Sequence, residues 1–255
     1  MGGAQRNERR KKQQSGAQRT AAVARPPSGP PPLANKRAKV AAIVVGVLVA
    51  LTVVVYVVLS RFSGPPTPRA ASYPVAVDGV VVVAGQPTAP VTLDLYEDYL
   101  CPFCERLENR SGGDLTTALN EGKAKVNYHA LNLLESRSTP PGYSGLAANA
   151  ALCAVPAGIW PAFHERLFAE QPAEGSAGLT AAQLTQIGAE LGAGQGFGAC
   201  VEANANAPAI TAATEAAVSD PGLQTDGQFG TPTVAKDGRK IDLASSDWLE
   251  TVLGG

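Results

Sequence analysis

The sequence predicts an α/β domain with an inserted helical subdomain, preceded by one N-terminal transmembrane helix. Three observations carry this. A 20-residue uncharged apolar run lies at 40–59. Beyond it, strand-like segments flank a helix that opens on CPFC. A long Ala-rich stretch with helical spacing then separates these strands from a second hairpin.

Residues 1–39 carry ten Lys/Arg and one Glu, whereas residues 71–255 carry nine Lys/Arg against 21 Asp/Glu, a balance of −12. A basic tail suits nucleic acid as well as a membrane surface. The apolar run that follows favours the membrane, so no nucleic-acid partner is expected. The run from Val40 to Leu59 is uncharged, and a helix of that length rises about 30 Å, the thickness of a hydrocarbon core. A cleaved signal peptide would have a shorter apolar region and a small-residue cleavage site. The sequence SRFSGPPTPRA that follows has neither feature. Lys36, Arg37 and Lys39 abut one end and only Arg61 and Arg69 follow the other. The positive-inside rule therefore predicts a cytoplasmic N-terminus, a single-pass cell-membrane anchor in lipid, and an extracytoplasmic C-terminal domain. The expected organisation is a basic disordered tail over 1–39, the anchor over 40–59, a Pro-rich linker over 60–72 and the domain over 73–255.

Within the domain, VAVDGVVVV (75–83) places Asp-Gly between β-branched runs and reads as a hairpin. VTLDLYE (91–97) alternates apolar and polar residues and reads as a strand. The next stretch, to about Glu121, is helical in composition. SGGD at 111–114 predicts a kink or restart there, with Asp114 as a new N-cap. KVNYHAL (125–131) is a further strand. Helices are expected over about 142–219, divided near Gly158, Gly175, Gly194 and Pro208. QFGTPTVAKDGRKIDL supplies a strand, an Asp237-Gly238 turn and another strand, and SSDWLETVL closes the chain as a capped helix. Strand, helix and parallel strand form a βαβ unit, to which the later hairpin adds antiparallel strands.

The cysteine pair admits three readings: a zinc clip, an inert structural disulfide or a redox pair. Zinc needs two more ligands at matching spacing. Cys153 and Cys200 stand alone, and the two histidines are His129 and His164, so no metal is expected. At the start of a helix, Cys101 faces unpaired N–H groups and the positive end of the helix dipole, which stabilise a thiolate. Pro102 suits the first turn. Cys104 lies on the same face, placed to resolve a mixed disulfide on Cys101.

YEDYLCPFCERLE (96–108) resembles the active-site segment of the thioredoxin superfamily, specifically its DsbA-like branch, and GTPT at 230–233 extends the match. The overall pattern is most similar to membrane-anchored, actinobacterial DsbA-like proteins and covers about residues 75–254. The resemblance implies a thioredoxin fold and a thiol–disulfide oxidoreductase that introduces disulfides into secreted or envelope proteins. It implies a cis bond between Thr231 and Pro232, an exposed Thr231 backbone that pairs with substrate, and Pro102 and Phe103 as support of the site. Its partners would be reduced or unfolded secreted proteins and a DsbB- or VKOR-type membrane enzyme, with no cofactor. Mixed disulfides would pass through Cys101 as the more solvent-exposed sulfur.

Two departures stand out. The dipeptide is Pro-Phe, not Pro-His, so no imidazolium sits between the cysteines. Leu95 occupies the position where many relatives carry a buried acid. Asp94, Glu97 and Asp98 lie nearby. Solvated carboxylates are the simpler reading, a base for Cys104 the other.

If Cys101 and Cys104 are the redox pair, Cys153 and Cys200 remain. They are expected to bridge two helices of the insertion, with free buried thiols as the alternative. His129 and His164 read as satisfied or exposed side chains. Trp160, Phe163, Leu167 and Phe168 follow helical spacing and read as core. A reductase or isomerase with the same site, and a chaperone or scaffold with an inert CPFC bridge, are the competing functions.

Overall fold

The computed structural model describes residues 43–53, which are helical, and residues 68–254, which form an α/β domain. Of the predicted anchor 40–59, residues 43–53 are described; the rest of it, the tail and most of the linker lie outside the described residues. Among the described residues, no helix is long and apolar enough to cross a membrane.

The domain contains β1 (Val75–Asp78), β2 (Val81–Gly85), β3 (Val91–Glu97), β4 (Ala124–Ala130), β5 (Thr233–Lys236) and β6 (Arg239–Lys240). These form one sheet in the order β1-β2-β4-β3-β5-β6. β3 and β4 are parallel, with Leu95 opposite Tyr128, and α1 (Pro102–Asn120) crosses between them. The other neighbours are antiparallel. The two hairpins use different turn chemistry. Asp78 pairs with Val81. Of the two loop residues, Gly79 alone has positive φ, +60°, the first-position glycine of a type II′ turn. At Asp237-Gly238 both residues have positive φ, 53° and 70°, as a type I′ turn requires.

Alternation along β3 sends Val91, Leu93, Leu95 and Glu97 to the buried face and leaves Thr92, Asp94 and Tyr96 half-buried on the other. The helices between β4 and β5 are α2 (Tyr143–Ala154), α3 (Trp160–Ala169), α4 (Ala181–Glu190), α5 (Gly196–Ala203) and α6 (Ala207–Ser219). α7 (Trp248–Gly254) closes the described chain. The breaks near Gly158, Gly175 and Gly194 fall between helices, but Pro208 lies in the first turn of α6. The boundary there is Asn204, in the left-handed region at φ 45°, and proline is tolerated at a helix start where its missing N–H costs nothing. α2 is buried on nearly every side: Ala147, Ala148, Ala150, Ala151 and Ala154 are each 0% exposed. Its small residues let neighbouring helices close around it, which is why this stretch is alanine-rich rather than amphipathic. Trp160, Phe163, Leu167 and Phe168 are core residues at 2% exposure or less.

Two expectations are corrected. α1 runs unbroken through Ser111, Gly112 and Gly113. Its small residues answer to packing: Trp248 Nε1 donates to Ser111 Oγ at 3.1 Å, and a Cβ on Gly112 would collide with the Glu108 carboxylate and the Arg69 guanidinium. The domain also begins earlier than residue 73. The Arg69 backbone donates to Glu165 Oε2 at 3.1 Å, its guanidinium pairs with Glu108, and Ser72 N donates to Asn120 Oδ1 at 2.7 Å. The end of the linker is thus tied to α1 and α3.

Cys153 and Cys200 are joined by a disulfide linking α2 to α5. Their sequence separation is 47 residues. Closing a loop of that length restricts the unfolded chain by about 4 kcal/mol on chain-entropy grounds. Replacing both cysteines by serine is expected to lower unfolding free energy in urea by about 2–4 kcal/mol. Unchanged stability would contradict a structural role for this bridge.

Candidate active site

The site forms where β3 ends and α1 begins. Asp98, Tyr99 and Leu100 turn the chain, and Cys101 N donates back to Asp98 O at 2.9 Å. Cys101 is the N-cap of α1, with extended backbone (φ −79°, ψ 115°) and Pro102 in the first turn. Its carbonyl accepts from Cys104 N at 3.0 Å and Glu105 N at 3.2 Å. Both thiols are unbonded.

The Thr231-Pro232 bond is cis, as is the unanticipated Thr139-Pro140 bond. The loop before β5 sets Thr231 O 3.3 Å from Cys101 Sγ. Cys101, Pro102, Thr231 and Pro232, 130 residues apart in sequence, therefore share one corner of the domain. Cys101 is the more exposed of the two cysteines, but only slightly: it is 4% exposed and Cys104 2%, so both are buried. The Gly230–Pro232 loop lies against the Cys101 sulfur, and the exposed group is Phe103, at 61%. The Arg106 guanidinium stacks on the Phe103 ring, 4.1 Å from its centroid.

The two thiols are driven apart electrostatically. Cys101 is brought down to about 6 from an ordinary 9.0 by a hydrogen bond from the Cys104 thiol, opposed by burial and helped by hydrogen bonds from Thr231 and from the backbone N–H groups of Cys104 and Phe103. Burial pushes Cys104 well above the ordinary thiol range, reinforced by its hydrogen bond to Cys101 and by the Cys101 charge. Hydrogen-bond donors at a helix N-terminus thus take the place of an imidazolium between the cysteines. In the reduced chain, alkylation of Cys101 by iodoacetamide is expected to rise with a midpoint near pH 6 and level off by neutral pH, since the thiolate is the nucleophile. A midpoint near 9 would show that these donors do not act.

The acidic residues are not the solvated carboxylates expected at a strand end. β3 stops at Glu97, so Asp98 leaves the strand alternation and turns inward, fully buried. Its Oδ1 accepts from Leu100 N and Ser144 Oγ, each at 2.8 Å, and its Oδ2 accepts from Leu134 N at 2.8 Å. Burial raises its carboxyl to about 6 against these three donors. Asp98 thereby joins the cysteine loop to α2 and to the segment after β4. Glu97 faces the core and meets His164 of α3, Oε1 to Nε2 2.8 Å, both groups buried. Tyr99, Tyr128, Trp160 and Phe168 surround that imidazole. Asp94 lies on the opposite face, half-exposed, and pairs with His129 at 3.1 Å and Asn127 at 3.0 Å. Both histidines are therefore satisfied.

Gln171, just after α3, was not identifiable from the sequence. Its Nε2 donates to Tyr99 O at 3.0 Å and Cys101 O at 3.2 Å, holding the cysteine loop from the insertion side. A lone glutamine in a polar loop carries no periodic or turn signal. Among the described residues, no cluster of three or more His, Cys, Asp or Glu side chains is arranged to hold a metal ion.

Comparison with known proteins agrees with this geometry. Residues 78–253 match the family described as Thioredoxin. The serine/threonine-protein kinase PknE of Mycobacterium tuberculosis H37Rv, and that of Mycobacterium bovis, are 29% identical over 184 residues, 69% of this chain. The match spans 32% of the length of these curated relatives. Among solved structures, the thiol–disulfide oxidoreductase MdbA of Corynebacterium matruchotii aligns with a TM-score of 0.62 at 24% identity, covering 72% of this chain and 93% of that one. Reduced DsbA of M. tuberculosis aligns at 0.57 and 20% identity, covering 72% and 91%. Reduced DsbG of the same organism aligns at 0.57 and 22%, covering 76% and 89%. The match over residues 78–253 shows that the chain belongs to the thioredoxin family, and the alignments with MdbA, DsbA and DsbG show the DsbA-like form of its fold.

Proposed function

We propose that the chain is a membrane-anchored thiol–disulfide oxidoreductase that introduces disulfides into secreted or envelope proteins through Cys101 and Cys104. The observation that carries this reading is the opposed displacement of the two thiols, Cys101 down to about 6 and Cys104 well above 9.0. A substrate thiolate attacks Cys101 of the oxidised pair. The Cys101–Cys104 bond breaks, a mixed disulfide forms on Cys101, and Cys104 leaves and takes up a proton. A second substrate thiolate attacks the substrate sulfur of the mixed disulfide. Cys101 departs as a thiolate, the substrate has lost two electrons and the pair has gained them. A low Cys101 pKa makes it a good leaving group and stabilises the reduced pair, which favours donation of the disulfide.

Anchoring through residues 40–59, an extracytoplasmic domain and reoxidation by a DsbB- or VKOR-type membrane enzyme complete the reading. The uncharged run and the basic residues on its N-terminal side support the topology. The reduction potential of the full chain, equilibrated against glutathione in detergent, tests the direction. A value between about −180 and −120 mV is expected for a disulfide donor. A value near about −270 mV would reverse electron flow, and one below about −300 mV would make the bridge structural.

A further inference from the structure

A groove of about 720 Å³ opens beside Cys101, lined by Phe103, Leu107, Thr231, Pro232 and Leu243 together with Arg106, Arg110 and Lys240. Its floor is apolar and its charges are all of one sign. This is unusual for the domain. Residues 71–255 hold nine Lys/Arg and 21 Asp/Glu, yet three of the nine cations line this groove and no carboxylate does. All three are exposed. None is ion-paired with a carboxylate among the described residues. Arg106 stacks on Phe103, Arg110 Nη2 donates to Leu243 O at 3.0 Å, and Lys240 Nζ donates to Thr225 Oγ1 at 3.0 Å. Each contact orients a cation along the groove and leaves its charge uncompensated.

We propose that this groove selects extended polypeptide segments in which Asp or Glu side chains flank the reacting cysteine, so that the protein acts preferentially on acidic cysteine-containing segments. The proposal rests on the reading of Cys101–Cys104 as an exchange site. Thr231 joins the two features: its carbonyl touches Cys101 Sγ and it lines the groove, so a chain lying in the groove brings a cysteine to the sulfur. Apolar side chains would rest on Leu107, Pro232 and Leu243, with carboxylates reaching the cations above. Complementary charge on a domain of opposite overall sign raises encounter rates and rejects like-charged partners. The protein's own residues 1–39, with ten Lys/Arg and one Glu, have the wrong sign to occupy the groove.

The test uses the oxidised full chain in detergent and short single-cysteine peptides. The second and third residues on each side of the cysteine are Asp/Glu, Asn/Gln or Lys. Each oxidation rate is divided by that peptide's rate with hydroxyethyl disulfide, which removes differences in intrinsic thiol reactivity. Acidic peptides are expected to react about fivefold faster than lysine peptides at low salt, the effect of one or two exposed charge contacts. The ratio should collapse towards one at about 0.5 M salt. Arg110→Glu and Lys240→Glu, made separately so that misfolding of one does not decide the matter, should each bring the ratio to one or below. A low-salt ratio near one, a preference for lysine, or a ratio unmoved by both reversals would overturn the proposal while leaving the exchange reading intact. Failure of every peptide to react would overturn both.

Discussion

Cys101→Ser is expected to abolish disulfide exchange with peptide and protein thiols, reducing it to the uncatalysed background. Cys104→Ser is expected to leave one attack possible and then stop. The asymmetry follows from the positions of the two sulfurs. Cys101 caps the helix, receives hydrogen bonds from the Phe103 and Cys104 backbone, and is held near 6, so at neutral pH it is largely thiolate and both attacks and departs readily. A serine hydroxyl at the same place cannot form a disulfide. Cys104 is held well above the ordinary thiol range, so at neutral pH it is a thiol and a weak nucleophile towards an incoming disulfide. Three residues further along the helix, it is placed to displace a partner already bonded to Cys101. With Cys104→Ser, presenting an oxidised partner to the free Cys101 thiolate should yield a stable mixed disulfide, visible as a mass adduct on non-reducing electrophoresis that thiol reductants remove. An adduct that forms through Cys104 in the Cys101→Ser chain, and not the reverse, would invert the assigned roles.

His164→Leu is expected to cost about 3–5 kcal/mol of stability, since it leaves the Glu97 carboxyl buried without its partner. Glu97 and His164 are 3% and 4% exposed and 2.8 Å apart. The His164 pKa is raised: burial lowers it, but the Glu97 charge and hydrogen bond more than offset this. The sign of the pH dependence follows. A histidine raised on folding contributes stability that is fully present below its unfolded value of about 6.5 and is lost as pH rises through its folded value. Asp98, raised to about 6 from 3.8, acts in the same direction: its contribution is present below 3.8 and fades as pH climbs through about 6. Urea denaturation of the oxidised chain, in which Cys101 does not titrate, should therefore show stability falling as pH rises above about 6.5. His164→Leu should remove that fall while retaining the lower step from Asp98. Pairing Glu97→Gln with His164→Leu should recover much of the loss, because no buried charge is then stranded. A single variant within about 1 kcal/mol of the parent would show that the pair is not held as ions.

Glu97 and Asp98 show how far local pattern carries. Alternation of Val91, Leu93 and Leu95 identifies β3, but it cannot say that the next residue on the buried face, Glu97, will find an imidazole 67 residues away. An acidic pair at a strand end reads as solvated because isolated carboxylates avoid burial. Only the return of α2 and α3 across the sheet supplies Ser144 and His164 and reverses that expectation. The SGGD segment makes the same point in the other sense. Glycine and serine weaken a helix in isolation, yet α1 continues through them because Trp248 and Arg69 need small residues beneath them.

What the chain specifies locally is therefore read directly from its residues: strand alternation, two Asp-Gly turns, a proline-led helix start with two cysteines on one face, and an alanine-rich helical insertion. Each depends on contacts within a few positions, where dihedral preference and side-chain period act alone. The working parts of the site depend on long-range closure. Thr231 meets Cys101 across 130 residues, Asp98 meets Ser144 across 46, and three cations from α1 and β6 gather beside one sulfur. Tertiary packing decides these because burial, hydrogen-bond partners and local field exist only once the sheet and the insertion have closed on one another.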